Sequence, residues 1–116
     1  AFQAKNSPAA AQALTQFLKS SPKSQNAAEA IFLRGECHFL QKSYNDAILD
    51  FSVVVEKYPK SKRNATATYR IAQSFEALGK KEDAAAFYQD VQDKFPKSPE
   101  AQRLKKSSGK AKHKKG

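Results

Sequence analysis

The chain has 116 residues, 40% hydrophobic and 28% charged, with a formal net charge of +10. That length holds one domain with one modest core, and no apolar run approaches the roughly 20 residues of a membrane-crossing helix. Cys37 is the only cysteine, which excludes an internal disulfide and a cysteine-based metal site.

The positive charge raises nucleic acid as a partner, and its placement decides how far to take that. Seven of the 21 basic residues fall within 103–116 with no acid among them, leaving 14 against 11 in residues 1–102. The body is therefore near neutral. The stretch KKSSGKAKHKKG lacks apolar spacing, so residues 107–116 are expected to be a disordered basic tail behind a domain spanning 1–106.

From the N-terminus, Ser7, Ala10, Ala11, Leu14, Phe17, Leu18 and Ser21 follow the spacing of an amphipathic helix. Asn6 or Ser7 is its expected cap, with Pro8 at the first helical position. A second helix, about 26–40, rests on Ala27, Ala30, Ile31, Cys37 and Leu40. Ser43-x-x-Asp46 then reads as a capping box opening a third, whose stripe is Tyr44, Ala47, Ile48, Phe51, Val54, Val55 and Tyr58. A fourth, about 63–78, carries Ala67, Ile71, Ala72, Phe75 and Leu78, and Gly79 supplies its left-handed end. The fifth follows with Glu82 and Asp83 at its positive terminus and the stripe Lys81, Ala84, Ala85, Tyr88, Val91, Gln92 and Phe95. A short end helix is expected at about 99–106.

The first, third and fifth stripes are one stripe written three times, 37 residues apart. Pro-Lys-Ser recurs at 22–24, 59–61 and 96–98 on the same interval. Each proline disfavours helix in the residue before it and ends the second helix of a unit. The serine two residues on is placed to cap the next helix, most plainly in Ser98-Pro99-Glu100. The phrase is punctuation between helical hairpins, and an interval of this size marks a repeat architecture. The expected fold is all-α, a superhelical stack of about 2.5 repeats of 37 residues plus a short C-terminal helix. Residues 1–5 align with 38–42, the tail of a first helix, so the chain is expected to open inside a hairpin and to be a piece of a longer protein.

Catalysis needs a nucleophile, a base and an orienting group, or two placed carboxylates. Cys37 and His38 are adjacent, so on a helix they point about 100° apart and cannot pair. Cys37 reads as a small buried hydrophobe and His38 as a core or boundary residue. No glycine-rich phosphate loop and no metal-ligand spacing occurs, so no enzyme, cofactor, metal or small-molecule substrate is expected. Asn64-Ala65-Thr66 matches the glycosylation triplet and carries no weight at a helix start.

Gly35, Ala47, Phe51 and Pro59, and then Ala72, Phe75, Ala84, Tyr88 and Pro96, resemble the signature of the tetratricopeptide-repeat family. His38 departs from it, standing where a large apolar residue is usual. The endings YPKS and FPKSP, with AIFLRGECHFLQKSYNDAILDF and EALGKKEDAAAFYQDV, are similar to one branch. That branch comprises the C-terminal domains of periplasmic proteins of the bacterial Tol–Pal system, the cell division coordinators. Outer-membrane assembly lipoproteins with the same repeats share such endings.

The resemblance implies a non-enzymatic, periplasmic protein-interaction module that links outer-membrane constriction with peptidoglycan synthesis through a TolA-like partner. It also implies an upstream segment through which the protein forms a homo-oligomer. A groove built by the first helix of each pair would hold the partner, lined by Glu29, Phe32, Glu36 and Phe39, then Thr66, Tyr69, Gln73 and Glu76. The lysines and asparagines with which co-chaperone members clamp a terminal carboxylate are missing there. Phe32 and Tyr69 either line that groove or pack between hairpins. An aromatic groove with acidic neighbours would favour an apolar or basic segment. The basic tail (Lys105, Lys106, Lys110, Lys112, Lys114, Lys115) leaves nucleic acid or an anionic surface as an alternative through counterion release. Without interleaved aromatics it offers no platform for base stacking.

Overall fold

A computed structural model describes residues 6–106. The expectations for residues 1–5 and for 107–116, with Lys110, Lys112, Lys114 and Lys115, lie outside the described residues. The described chain is a run of helices: α1 (Ser7–Ser20), α2 (Ala27–Leu40), α3 (Tyr44–Lys57), α4 (Asn64–Ala77), α5 (Lys81–Lys94) and α6 (99–106). The first five have 14 residues each, about 21 Å of rod. No strand occurs among the described residues. The pairs α2–α3 and α4–α5 are whole hairpins, with α1 before them and α6 after them. The radius of gyration, 15.1 Å, exceeds the roughly 13 Å of a compact domain this size, as a stack with only neighbour contacts requires. No described helix is long and apolar enough to cross a membrane.

Two kinds of turn alternate. Where α1, α3 and α5 end, Ser21, Tyr58 and Phe95 take nearly the same backbone, φ −137°, −128° and −132° with ψ 61°, 65° and 55°. This is the non-helical conformation imposed by the following proline. Each of these residues still donates its N–H to the carbonyl four back, and each accepts from the serine three on (Ser24, Ser61, Ser98) at 2.9–3.1 Å. Pro-Lys-Ser thus closes a β-turn with proline at its second position.

The α2–α3 and α4–α5 turns are tighter. Ser43 N–H donates to His38 O and Lys80 N–H to Phe75 O, while Lys42 and Gly79 stand at φ 63° and 80°. Both are helix ends closed through a left-handed residue, with a lysine in one where the other has glycine.

Several expectations about helix starts are corrected. Ser43 occupies the cap position of α3, but its side chain makes no capping bond. Its N–H is taken by His38 O, so Asp46 has no reciprocal donor and no capping box forms. Asn6 caps α1 by position only, and Pro8 is the second helical residue, behind Ser7. The Ser24 and Ser61 hydroxyls accept from Asn26 and Arg63 N–H inside the turn, because α2 and α4 begin three residues later. Ser98 is a true cap: its hydroxyl accepts from Ala101 N–H at 3.0 Å.

The core is the 37-residue stripe made solid. Ala47, Phe51 and Val54 of α3 are fully buried against Ile31 and Phe32 of α2 and Ala67 and Ile71 of α4. Ala84 and Val91 repeat the pattern in α5. Gly35 is needed for the approach of α2, since a Cβ there would stand 2.9 Å from Phe51 Cε1. Phe17, on the expected stripe of α1, is 36% exposed, because no described helix lies on its far side.

Candidate functional site

The eight expected groove residues all lie on α2 and α4, the first helices of the two whole hairpins. Those helices run side by side with α6 as the third rail. The register between them is the 37-residue repeat less one helical turn, so residue i meets residue i+34. Arg63 donates from Nε and Nη2 to Glu29 Oε1 and Oε2 at 3.0 and 2.8 Å. Arg70 Nε donates to Glu36 Oε1 at 2.8 Å, and Thr66 Oγ1 to Glu100 Oε2 at 2.6 Å. Arg103 lies over the Tyr69 ring, 5.6 Å from its centroid.

The same arginines cover the aromatics. Arg63 sits 5.1 Å from the Phe32 centroid and Arg70 4.9 Å from that of Phe39, which meets Tyr44 edge-on. Gln73 accepts from Arg70 Nη1, and Glu76 accepts from the Tyr88 hydroxyl at 2.7 Å. A forked arginine that binds a carboxylate edge-on while lying over a ring serves both partners from one rigid group.

Two expectations change here. Phe32 is 4% exposed, tilted against Phe51 inside the α2–α3 hairpin at 5.6 Å and covered by Arg63 from the next, so it is interior and offers a partner nothing. Two of the three groove acids are not free to draw a basic segment. Arg63 hydrogen bonds hold the Glu29 carboxyl below the usual carboxylate range, and Glu36 is paired with Arg70. What remains is Phe39 and Tyr69, both half-buried, between arginine planes and amides. Lys105 and Lys106 extend from α6, exposed.

The remaining polar chemistry is structural. Asp50, 6% exposed, accepts from Arg34 Nε and Nη2 at 3.0 and 2.8 Å, and Arg34 Nη1 donates to Thr15 Oγ1. One buried knot thereby ties α1, α2 and α3. His38 Nε2 is 3.6 Å from Asp50 Oδ2, on the margin of that knot. Cys37 is fully buried, and desolvation pushes its thiol up, away from a nucleophilic thiolate. Asn64 is 3% exposed, and its amide nitrogen donates to Tyr58 O and Pro59 O, so the glycosylation triplet is closed off. No group of three or more metal-ligating side chains lies together among the described residues.

The Arg34–Asp50 knot and the arginine rails were missed in the sequence, where apolar periodicity was the guide. A signal for the rails was present: Glu29 and Arg63, and Glu36 and Arg70, are opposite charges at one spacing, 34 residues.

The fold agrees with the comparisons. One tetratricopeptide-repeat family model matches residues 1–62, which hold α1, α2 and α3, and another matches residues 66–98, over α4 and α5. No curated protein matches the chain as a relative. By its repeat length, its paired helices and these matches, the chain belongs to the tetratricopeptide-repeat family.

Proposed function

We propose that the chain is the partner-binding module of a bacterial cell-envelope protein, acting in the periplasm without catalysis of its own. In this reading it connects outer-membrane constriction with peptidoglycan synthesis by holding a segment of a TolA-like protein. The family supports protein binding in general. The 37-residue unit with its YPKS and FPKSP endings supports the envelope branch.

The observation that carries the binding face is the row of half-exposed rings and arginine planes on α2, α4 and α6. Glu29 and Glu36 are matched internally by Arg63 and Arg70, so attraction of a basic partner is not the driving term. Apolar and stacking contact on Phe39 and Tyr69 is, with amides such as Gln73 fixing register.

The test is calorimetric titration of the chain with soluble TolA segments, comparing the natural sequence with Phe39→Ala and Tyr69→Ala. Each substitution removes a half-exposed ring and is expected to weaken binding about tenfold or more while far-UV circular dichroism stays native. Unchanged affinity in both folded variants overturns the face. Binding to barrel-assembly components in place of TolA replaces the division role with a scaffolding one.

A further inference from the structure

The turns that end α1, α3 and α5 lie along one edge of the stack, and that edge is basic. Lys23, Lys60, Lys62 and Lys97 are exposed there, and none forms an ion pair among the described residues. Of the acids at the starts of α2 and α6, Glu29 is neutralised by Arg63, while Glu100 accepts from the neutral Thr66 hydroxyl and keeps its charge. The opposite edge is balanced, carrying Lys42, Lys80 and Lys81 beside as many acids, Asp46, Glu82 and Asp83. Into the basic edge opens a cleft of ≈ 740 Å³ between the start of α2 and the α3–α4 turn. Ala28, Tyr58 and Pro59 give it apolar walls, and Gln25, Lys60 and Lys62 form its rim.

We propose that this cleft is a second partner site, taking an extended acidic peptide segment that carries an apolar side chain. Carboxylates of the segment meet Lys60 and Lys62, and the apolar side chain enters between Tyr58, Pro59 and Ala28. The inference rests on the reading of the chain as a protein-binding module and places a partner at the end of the α2–α4–α6 face, which the cleft adjoins through Glu29 and Arg63. A peptide fits better than nucleic acid, because the apolar walls of Ala28, Tyr58 and Pro59 take an aliphatic side chain, which a phosphodiester backbone does not carry. It fits better than a membrane, because a flat bilayer cannot reach the apolar walls of a concave cleft.

The test uses the full chain and a fluorescein-labelled peptide of repeated Glu-Glu-Leu, read by fluorescence anisotropy at low and high salt, with a Lys-Lys-Leu counterpart. The acidic probe is expected to bind and the basic one not. Lys60→Glu with Lys62→Glu should weaken binding about tenfold or more, since two attractive contacts become repulsive. Replacing Lys110, Lys112, Lys114 and Lys115 by Gln should change it less than twofold. Loss of binding in the tail variant with retention in the loop variant overturns the proposal. So does failure of the acidic probe to bind at low salt, or stronger dependence of phosphatidylglycerol-vesicle or duplex-DNA binding on Lys60 and Lys62 than of peptide binding. Tyr69→Ala separates the two readings. A TolA segment lost with Tyr69→Ala beside an acidic probe that never binds removes only this site, whereas the reverse outcome removes only the helix face.

Discussion

Phe51 is the side chain on which most of the first whole hairpin closes. It is fully buried, tilted against Phe32, and laid so close to Gly35 that α2 has no room for a side chain there. In the next hairpin the same two positions hold Ala72 and Tyr88. Tyr88 packs edge-on to Tyr69 at 5.6 Å and donates to Glu76, and burial together with that carboxylate pushes its phenol well up. The two repeats thus solve one packing problem with different volume pairs, Gly with Phe and Ala with Tyr. Truncating Phe51→Ala leaves a cavity that neither Gly35 nor Ala47 can fill. The expected loss is about 3–5 kcal/mol in urea unfolding, much of a small domain's total. A loss below about 1 kcal/mol would mean that the core closes elsewhere.

The helices are alike in length, and the turns set their order. The proline turns repeat to within a few degrees because proline fixes the residue before it and the serine closes the bend. The tight turns depend on a left-handed residue that a lysine adopts at a cost. Lys42 at φ 63° bears a strain from which Gly79 at φ 80° is free. Lys42→Gly is therefore expected to raise stability by about 1 kcal/mol, read as a higher urea midpoint at unchanged slope. No gain would show that the side chain of Lys42 contributes as much as its backbone costs. The capping box expected at Ser43 fails for an element-scale reason. Only three residues separate α2 from α3, and the bond that ends one helix consumes the donor needed to start the other.

Along the whole molecule, ion pairs between successive first helices stitch the hairpins together. Glu29–Arg63 is the most exposed of them, with side chains 43% and 47% accessible. The folded-state pKa of Glu29 lies below its unfolded value, so the contribution is present above that unfolded value and fades as pH falls through the folded one. Its size is under about 1 kcal/mol, because solvent screens the pair. Glu29→Gln should therefore unfold at slightly lower urea than the natural chain at pH 7, and the difference should vanish in strong acid. A difference that persists there would assign the effect to packing. Sequence alone determined the repeat, the helix spans, the turn prolines and the buried centre of the stripe at Ala47, Phe51, Val54, Ala84 and Val91, because each follows from local backbone preference and a 3.6-residue apolar period. Tertiary structure decided that Phe32 is interior, that Glu29 and Glu36 are spoken for, and that Arg34 and Asp50 lock three helices. Those contacts join residues 16 to 34 apart, and only the offset of one helix turn between neighbouring rods sets which charges meet.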